Sequence, residues 1–302
     1  MERRPDNRAD IRDFLATRRA QLTPERVGLP TSGRRRVPGL RREEVAVLAG
    51  VSTEWYTRLE KGHISGVSED VLDAVARTLQ LSEDERTYLF DLAKAAQPRS
   101  SARRRRKAVD IPPRVQWLLD SMTLSAAFVS DGRLDIVATN ALARSLFAPL
   151  FDSGTTDERG RPNFARYYFL DDDSHDFMDD WEGAAKITVA LLRAEAGRYP
   201  GDKALRELIG ELSTVSFEFR TLWAAHDVRI HHGGVKSFHH PAAGLMTLTY
   251  QPLDLPMSAH EAHSLTIYTA EPGTPDEDRL KLLASWAATR LQEAHPTGDS
   301  DR

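Results

Sequence analysis

The chain contains no cysteine. That excludes disulfides, thiolate nucleophiles and cysteine-ligated zinc together, and it fits a cytoplasmic protein. No run of eighteen or more apolar residues occurs in the 302, so no membrane-spanning helix is expected. The opening stretch, MERRPDNRAD, is charged and polar where a secretory signal would be apolar. A G-x-S-x-G elbow, a glycine-rich phosphate loop and an H-E-x-x-H pair are also missing, which leaves catalysis without visible support and implies a protein that is not an enzyme. No repeat of fixed period is visible either.

What is present is an ordinary globular composition, 40% hydrophobic and 28% charged, with a net charge of −4 that hides an asymmetry. Residues 1–110 carry 23 Lys/Arg against 17 Asp/Glu, whereas the remainder carries 18 against 28. A basic first third ahead of an acidic remainder suggests that a polyanion meets the N-terminal part.

From Ile11 to about Leu92 the pattern is that of short helices. Ile11, Phe14 and Leu15 form a first apolar stripe. Ser68 is expected to cap a helix bearing Leu72, Val75, Ala76 and Leu79, and Ser82 with Glu85 forms a capping box for a helix burying Leu89, Leu92 and Ala93. The polar, arginine-rich run from Gln97 to Arg114 has almost nothing to bury and reads as a hinge or a phosphate-contacting arm.

The informative stretch is LRREEVAVLAGVSTEWYTRLEKG, Leu40 to Gly62. Val45, Leu48 and Ala49 are expected to face a core, and the small Ala46 to let a second helix cross closely. Gly50 stands where the chain must turn through positive φ. Val51 plugs the core below that turn, Ser52 caps the next helix, and Gly62 follows its end. With Tyr56 and Leu59 inward, Thr53, Glu54, Thr57 and Arg58 project outward, which in a helix-turn-helix is the major-groove surface. Arg58 suits a bidentate contact to guanine and Glu54 a contact to cytosine. Arg41 and Arg42 are placed for phosphates.

These residues resemble the phage-repressor-like, Xre-type helix-turn-helix family, which implies a five-helix domain that binds a double-stranded operator, commonly as a homodimer. The longer string RRRVPGLRREEVAVLAGVSTEWYTRLEKG resembles more narrowly the MmyB-like transcription regulators of actinobacteria, and LDIVATNALARSLF, LLRAEAGRYPGD, FEFRTLWAAHDVR, FHHPAAGLMTLTY and IYTAEPG resemble their C-terminal domain. The resemblance implies a PAS-like, ligand-binding fold there. A single helix-turn-helix also reads too few base pairs for genomic specificity, so two copies on a pseudo-palindrome are expected.

The residues beyond the hinge independently suggest an α+β domain on an antiparallel sheet. Phe128–Ser130 and Leu134–Ala138 flank Asp131-Gly132 as a hairpin with a type I′ turn, and Asn140 caps a short helix ending near Phe147. Helices are expected over Phe177–Glu195, Lys203–Leu212 and Phe217–Ala225, then strands over Val228–His232, Val235–His239, Leu245–Leu253 and Leu265–Thr269. An apolar helix spans Leu280–Leu291. The expected organisation is thus a multidomain chain: an all-α five-helix helix-turn-helix domain over 1–96, a basic linker over 97–113, a PAS-like domain over 114–275, and a helix and tail over 276–302.

A sheet covered by helices offers a pocket between its layers, and the large side chains Trp117, Phe128, Trp181, Phe219, Trp223, Phe238 and Tyr250 are spread over that domain. They suggest an apolar site for a small hydrophobic ligand such as a fatty acid, with His226, Arg229 or His240 as polar orienting groups. The alternative is a domain that recruits a protein partner such as RNA polymerase without a ligand. The pairs His231-His232 and His239-His240 invite a metal, but neighbours on a strand face opposite ways and each pair offers one ligand to a site. No metal and no resident cofactor is expected.

Overall fold

The computed structural model describes residues 7–30, 35, 37–97, 111–156, 160–228, 233–257 and 263–294. It forms two compact units, and neither is one continuous run. The first joins Met1–Arg105 to Val189–Ile209 and Arg220–Ile230; the second joins Arg106–Thr188 to Gly210–Phe219 and His231–Arg302.

The first unit opens with five α-helices: α1 (Arg8–Gln21), α2 (Arg42–Leu48), α3 (Thr53–Glu60), α4 (Glu69–Thr78) and α5 (Glu83–Ala95). Their amphipathic stripes meet in one core that includes Ile11, Phe14, Leu15, Val45, Tyr56, Leu59, Leu72, Val75, Leu89 and Leu92. The Ser82–Glu85 capping box forms, with Ser82 N donating to the Glu85 carboxylate at 2.6 Å. Two expectations need correction. Leu48 is 40% exposed and Ala46 is buried in its stead, because the α2 stripe runs Val45, Ala46, Ala49 and turns Val47 and Leu48 to solvent. Ser68 occupies the N-cap position of α4 but makes no side-chain capping bond.

The second unit begins with α6 (Pro113–Ser121), whose first turn is opened by Pro113, a residue suited to N1. The expected linker therefore runs into a helix at its C-terminal end; its residues 98–110 lie outside the described residues. Strands β1 (Ala126–Asp131) and β2 (Ile136–Thr139) follow, then α7 (Ala141–Leu146), α8 (Ala148–Asp152), α9 (Phe164–Leu170) and α10 (Asp173–Phe177). Three longer helices come next, α11 (Trp181–Arg198), α12 (Lys203–Val215) and α13 (Phe217–Ala224), and each has residues in both units. The chain closes with β3 (Gly234–His240), β4 (Gly244–Asp254), β5 (His263–Thr269) and α14 (Pro275–Ala294).

The strands make one antiparallel sheet in the order β2-β1-β5-β4-β3. Phe128, Phe238, Tyr250 and Tyr268 are buried from four of its strands. Phe147, just after α7, packs edge-on against Phe128, Phe238 and Tyr268 at centroid distances of 5.6, 5.6 and 5.2 Å. Asn140 holds the crossing from β2 to α7. Its Oδ1 accepts from Ala127 N and Ala143 N, and its Nδ2 donates to the carbonyls of Met122 and Ser125.

The β1–β2 connection is not the expected type I′ turn, which needs positive φ at both central residues, and neither Asp131 nor Gly132 has it. The left-handed residue is Leu134, at φ +67, and the Asp131 carboxylate organises the loop by accepting from Arg133 N and Asp135 N. The strand expected over Val228–His232 is also corrected at its start. Val228 is in no strand and is buried in the core of the first unit; residues 229–232 lie outside the described residues.

Candidate nucleic-acid interface

The α2–turn–α3 segment is locally determined. Gly50 has φ +70, and Val51 N donates to Ala46 O at 2.9 Å across the turn. Ser52 Oγ accepts from Trp55 N at 3.1 Å and caps α3. Tyr56 and Leu59 are buried, which leaves Ser52, Thr53, Glu54 and Arg58 exposed and Thr57 half-buried. Among the described residues neither Glu54 nor Arg58 is held by an ion pair, so both side chains are available to a ligand on that face. Gly62, at φ +92, passes so close to α1 that a Cβ there would lie 2.6 Å from Arg8 Cβ.

Behind this face stands a charged network that fixes α3 to its neighbours. Glu60 is 1% exposed and takes Arg19 of α1 in a fork, at 2.7 and 3.1 Å, and Arg42 of α2 at 2.9 and 2.8 Å. Burial pushes the Glu60 carboxyl up, but the bonds and charges of the two arginines together overcome it and hold the group below its ordinary range. Arg35 likewise forks onto Glu44 at 2.7 Å on both oxygens, and Glu44 also accepts from Arg41 N at 2.6 Å. Arg42, expected to meet phosphates, is half exposed and pairs with Glu60. Arg41 is exposed, with one long contact to Glu43 at 3.4 Å.

The residues suggested for a ligand fall into separate places. Phe128, Phe238 and Tyr250 lie in the ring cluster on the sheet, where Tyr250 stacks on Tyr268 at 5.8 Å. Trp181 and Phe219 flank Phe169, at 5.9 and 5.1 Å, and Trp181 Nε1 donates to Ser174 Oγ at 3.0 Å. His240 uses both ring nitrogens: Nδ1 accepts from Ala242 N and Ala243 N, and Nε2 donates to Ser145 O at 3.0 Å. Burial lowers its pKa, in keeping with a neutral ring that closes the β3–β4 turn. Trp223 and His226 belong to the first unit, and His226 lies past the end of α13 at φ +52. Trp117 is 70% exposed on α6. Arg229 lies outside the described residues, as do His231 and His232. Among the described residues no cluster of His, Asp and Glu is arranged for a metal ion. An open hollow of about 480 Å³ lies beside the helix-turn-helix, between Leu48, Gly50, Ala74 and Arg77.

Residues 10–89 match a helix-turn-helix domain family, and residues 111–283 match the family described as the MmyB-like transcription regulator ligand binding domain. The chain belongs to the MmyB-like transcription regulator family. No curated protein matches it. Within the described residues of this regulator, no helix is long and apolar enough to cross a membrane.

Sequence reasoning missed several of the regulator's buried or paired charged groups. Glu60 and Arg19 were legible in part, since Glu60 is four residues from the inward Tyr56 and must share its face. Arg35 and Glu44 are nine apart across a loop, and no periodicity connects them. Arg193, buried in α11, sits in a helix whose sequence, WEGAAKITVALLRAEAGR, is apolar enough to hide one cation.

Proposed function

We propose that this regulator binds operator DNA by laying α3 in the major groove, as a homodimer on a pseudo-palindromic site. We further propose that its sheet domain takes a small apolar ligand that alters this binding. The observation that carries the DNA reading is the free, outward Glu54 and Arg58 on a capped helix held rigidly by Glu60, within a matched helix-turn-helix. Thr53 and Thr57 border the same surface, Ser52 serves as its cap, and Arg41 is the better-placed phosphate ligand of the arginine pair. Ligand binding is supported by the family match over 111–283, with Phe128, Phe238 and Tyr250 in one aromatic cluster and Trp181 and Phe219 in a second. For such a ligand to change operator affinity tenfold it must favour one state by about 1.4 kcal/mol.

Selection of bound duplexes from a random pool, followed by footprinting and stoichiometry, tests the first part. A footprint of one half-site at 1:1 would overturn the dimer. Mass spectrometry of small molecules released from purified protein tests the second. Unchanged melting of the sheet domain across a panel of fatty acids and apolar metabolites would count against it. One observation favours the partner-recruiting reading instead: Trp117, Leu118 and Leu124 are all exposed within eight residues, while the sheet rings pack against one another.

A further inference from the structure

The first unit is completed by chain that lies outside the helix-turn-helix match. Val228 is buried in one core with Ile11, Phe14 and Leu92. Gly197 of α11 passes so close to Tyr88 of α5 that an added Cβ would meet Tyr88 Cε2 at 2.4 Å. Next to it, Arg198 Nε reaches Asp91 at 3.3 Å.

Beside these contacts lies a buried cationic knot. Arg193 is 1% exposed, with its guanidinium 4.1 Å from the centre of the Trp223 ring, a bond to Trp223 O, and another nitrogen 3.0 Å from His226 Nδ1. Arg18 of α1 donates to His226 O at 2.6 Å and pairs with the buried Glu85 of α5 at 3.0 Å.

The knot is tightly packed, and one nitrogen of each arginine is left over. The Nε atoms of Arg18 and Arg193 are both buried without an acceptor. His226 holds a left-handed φ of +52, which a side chain with a Cβ rarely adopts. Desolvation pushes Arg193 down, Asp10 up and His226 down to about 4, so each group is drawn toward its neutral form. A left-handed backbone and buried N–H groups without acceptors are features that cluster in switch regions.

Position gives the element its second property. α11 belongs to the second unit through Thr188 and to the first from Val189; α13 changes over between Phe219 and Arg220.

We propose that the Val189–Arg198 end of α11 and the turn from α13 to Val228 form a releasable brace on the helix-turn-helix. It is docked on α1 and α5 in one DNA-binding state and withdrawn in the other. The proposal rests on the DNA-binding reading of α3 and is independent of any ligand's identity.

Two substitutions push the brace in opposite directions. Gly197→Val drives a side chain into Tyr88 and favours release. His226→Asn tolerates the left-handed φ and keeps an acceptor where Nδ1 stands, so it favours docking. Hydrogen exchange on the full chain, and binding to the duplex that the wild-type chain enriches from a random pool, read the result. In Gly197→Val, exchange of α1 and α5 amides rises about tenfold or more while β1 and β5 stay protected. The two variants shift affinity for the enriched duplex in opposite directions, each about fivefold or more. Unchanged α5 exchange in Gly197→Val, or shifts of the same sign, overturn the proposal. Gly197→Ala is the milder probe if Gly197→Val also exposes β5, and it is read the same way. Arg58→Ala separates the two readings: it weakens specific binding without altering α5 exchange, and binding left intact there overturns the α3 assignment alone.

Discussion

Replacing Glu60 by alanine removes the anionic partner of two arginines in one step. Arg19 cannot follow the lost charge into water: it is mostly buried, and it also donates to Leu40 O at 2.7 Å. A buried cation deprived of its partner destabilises a fold by about 3–5 kcal/mol. Arg42 has another course, since its side chain is 48% exposed and turns to solvent; its share is that of a surface pair, under about 1 kcal/mol. Glu60→Ala is therefore expected to cost about 3 kcal/mol and Arg42→Ala less than about 1. Native-state hydrogen exchange of α1 and α3 amides measures both without assuming that the whole chain unfolds in one step. The pH dependence gives a second check. Because the folded Glu60 carboxyl titrates below its ordinary range, its stabilisation is complete above the unfolded value of about 4.3 and is lost as the pH falls through the lower folded value. Glu60→Ala should lose that acid-sensitive component. Equal losses in the two variants, or a loss below about 1 kcal/mol for Glu60→Ala, would refute the assignment of Glu60 as the anchor of α3.

Three further outcomes are expected. Arg58→Ala should weaken specific binding by about 1–3 kcal/mol and relax selection at one base pair, measured by titration at fixed salt; unchanged base preference would place the recognition contact elsewhere. Asn140→Ala orphans two backbone donors and two carbonyls and should cost about 3 kcal/mol in denaturant unfolding of the sheet domain, whereas a loss near zero would mean that water replaces all four bonds. Leu134→Gly relieves a left-handed φ of +67 and should raise the melting point of the sheet domain by the equivalent of about 0.5–1 kcal/mol; a fall would show that Leu134 packing outweighs its backbone strain.

The helix-turn-helix was legible because its determinants are local. Gly50, Ser52, Tyr56 and Leu59 act within a few residues of one another, and each stands as its neighbours require. Leu48 was misread because a seven-residue helix gives too few turns for its stripe to be fixed by period alone. The C-terminal sheet was legible as strands, but the Asp131-Gly132 turn was not, because Asp131 uses its side chain to build a different loop. The partners of the suggested polar orienting groups His226 and His240 were not legible. His240 is spent on two backbone amides and a carbonyl, and His226 sits in a knot with Arg18, residues 208 apart in the chain. No spacing rule reaches that far.

The strand order β2-β1-β5-β4-β3 places the first hairpin of the sheet beside its last strand, with Asp131 opposite His263. During synthesis at about 5–20 residues per second, the apolar β1 must wait for about 130 further residues, roughly 6–26 s, before its central partner exists. The helices α1 to α5 contact one another within the first hundred residues, although Val228 joins their core only later. On the ribosome β1 is therefore expected to stand open on its β5 side until the last strand has been made. That open edge, AAFVSD, is where pairing with another nascent copy is to be expected.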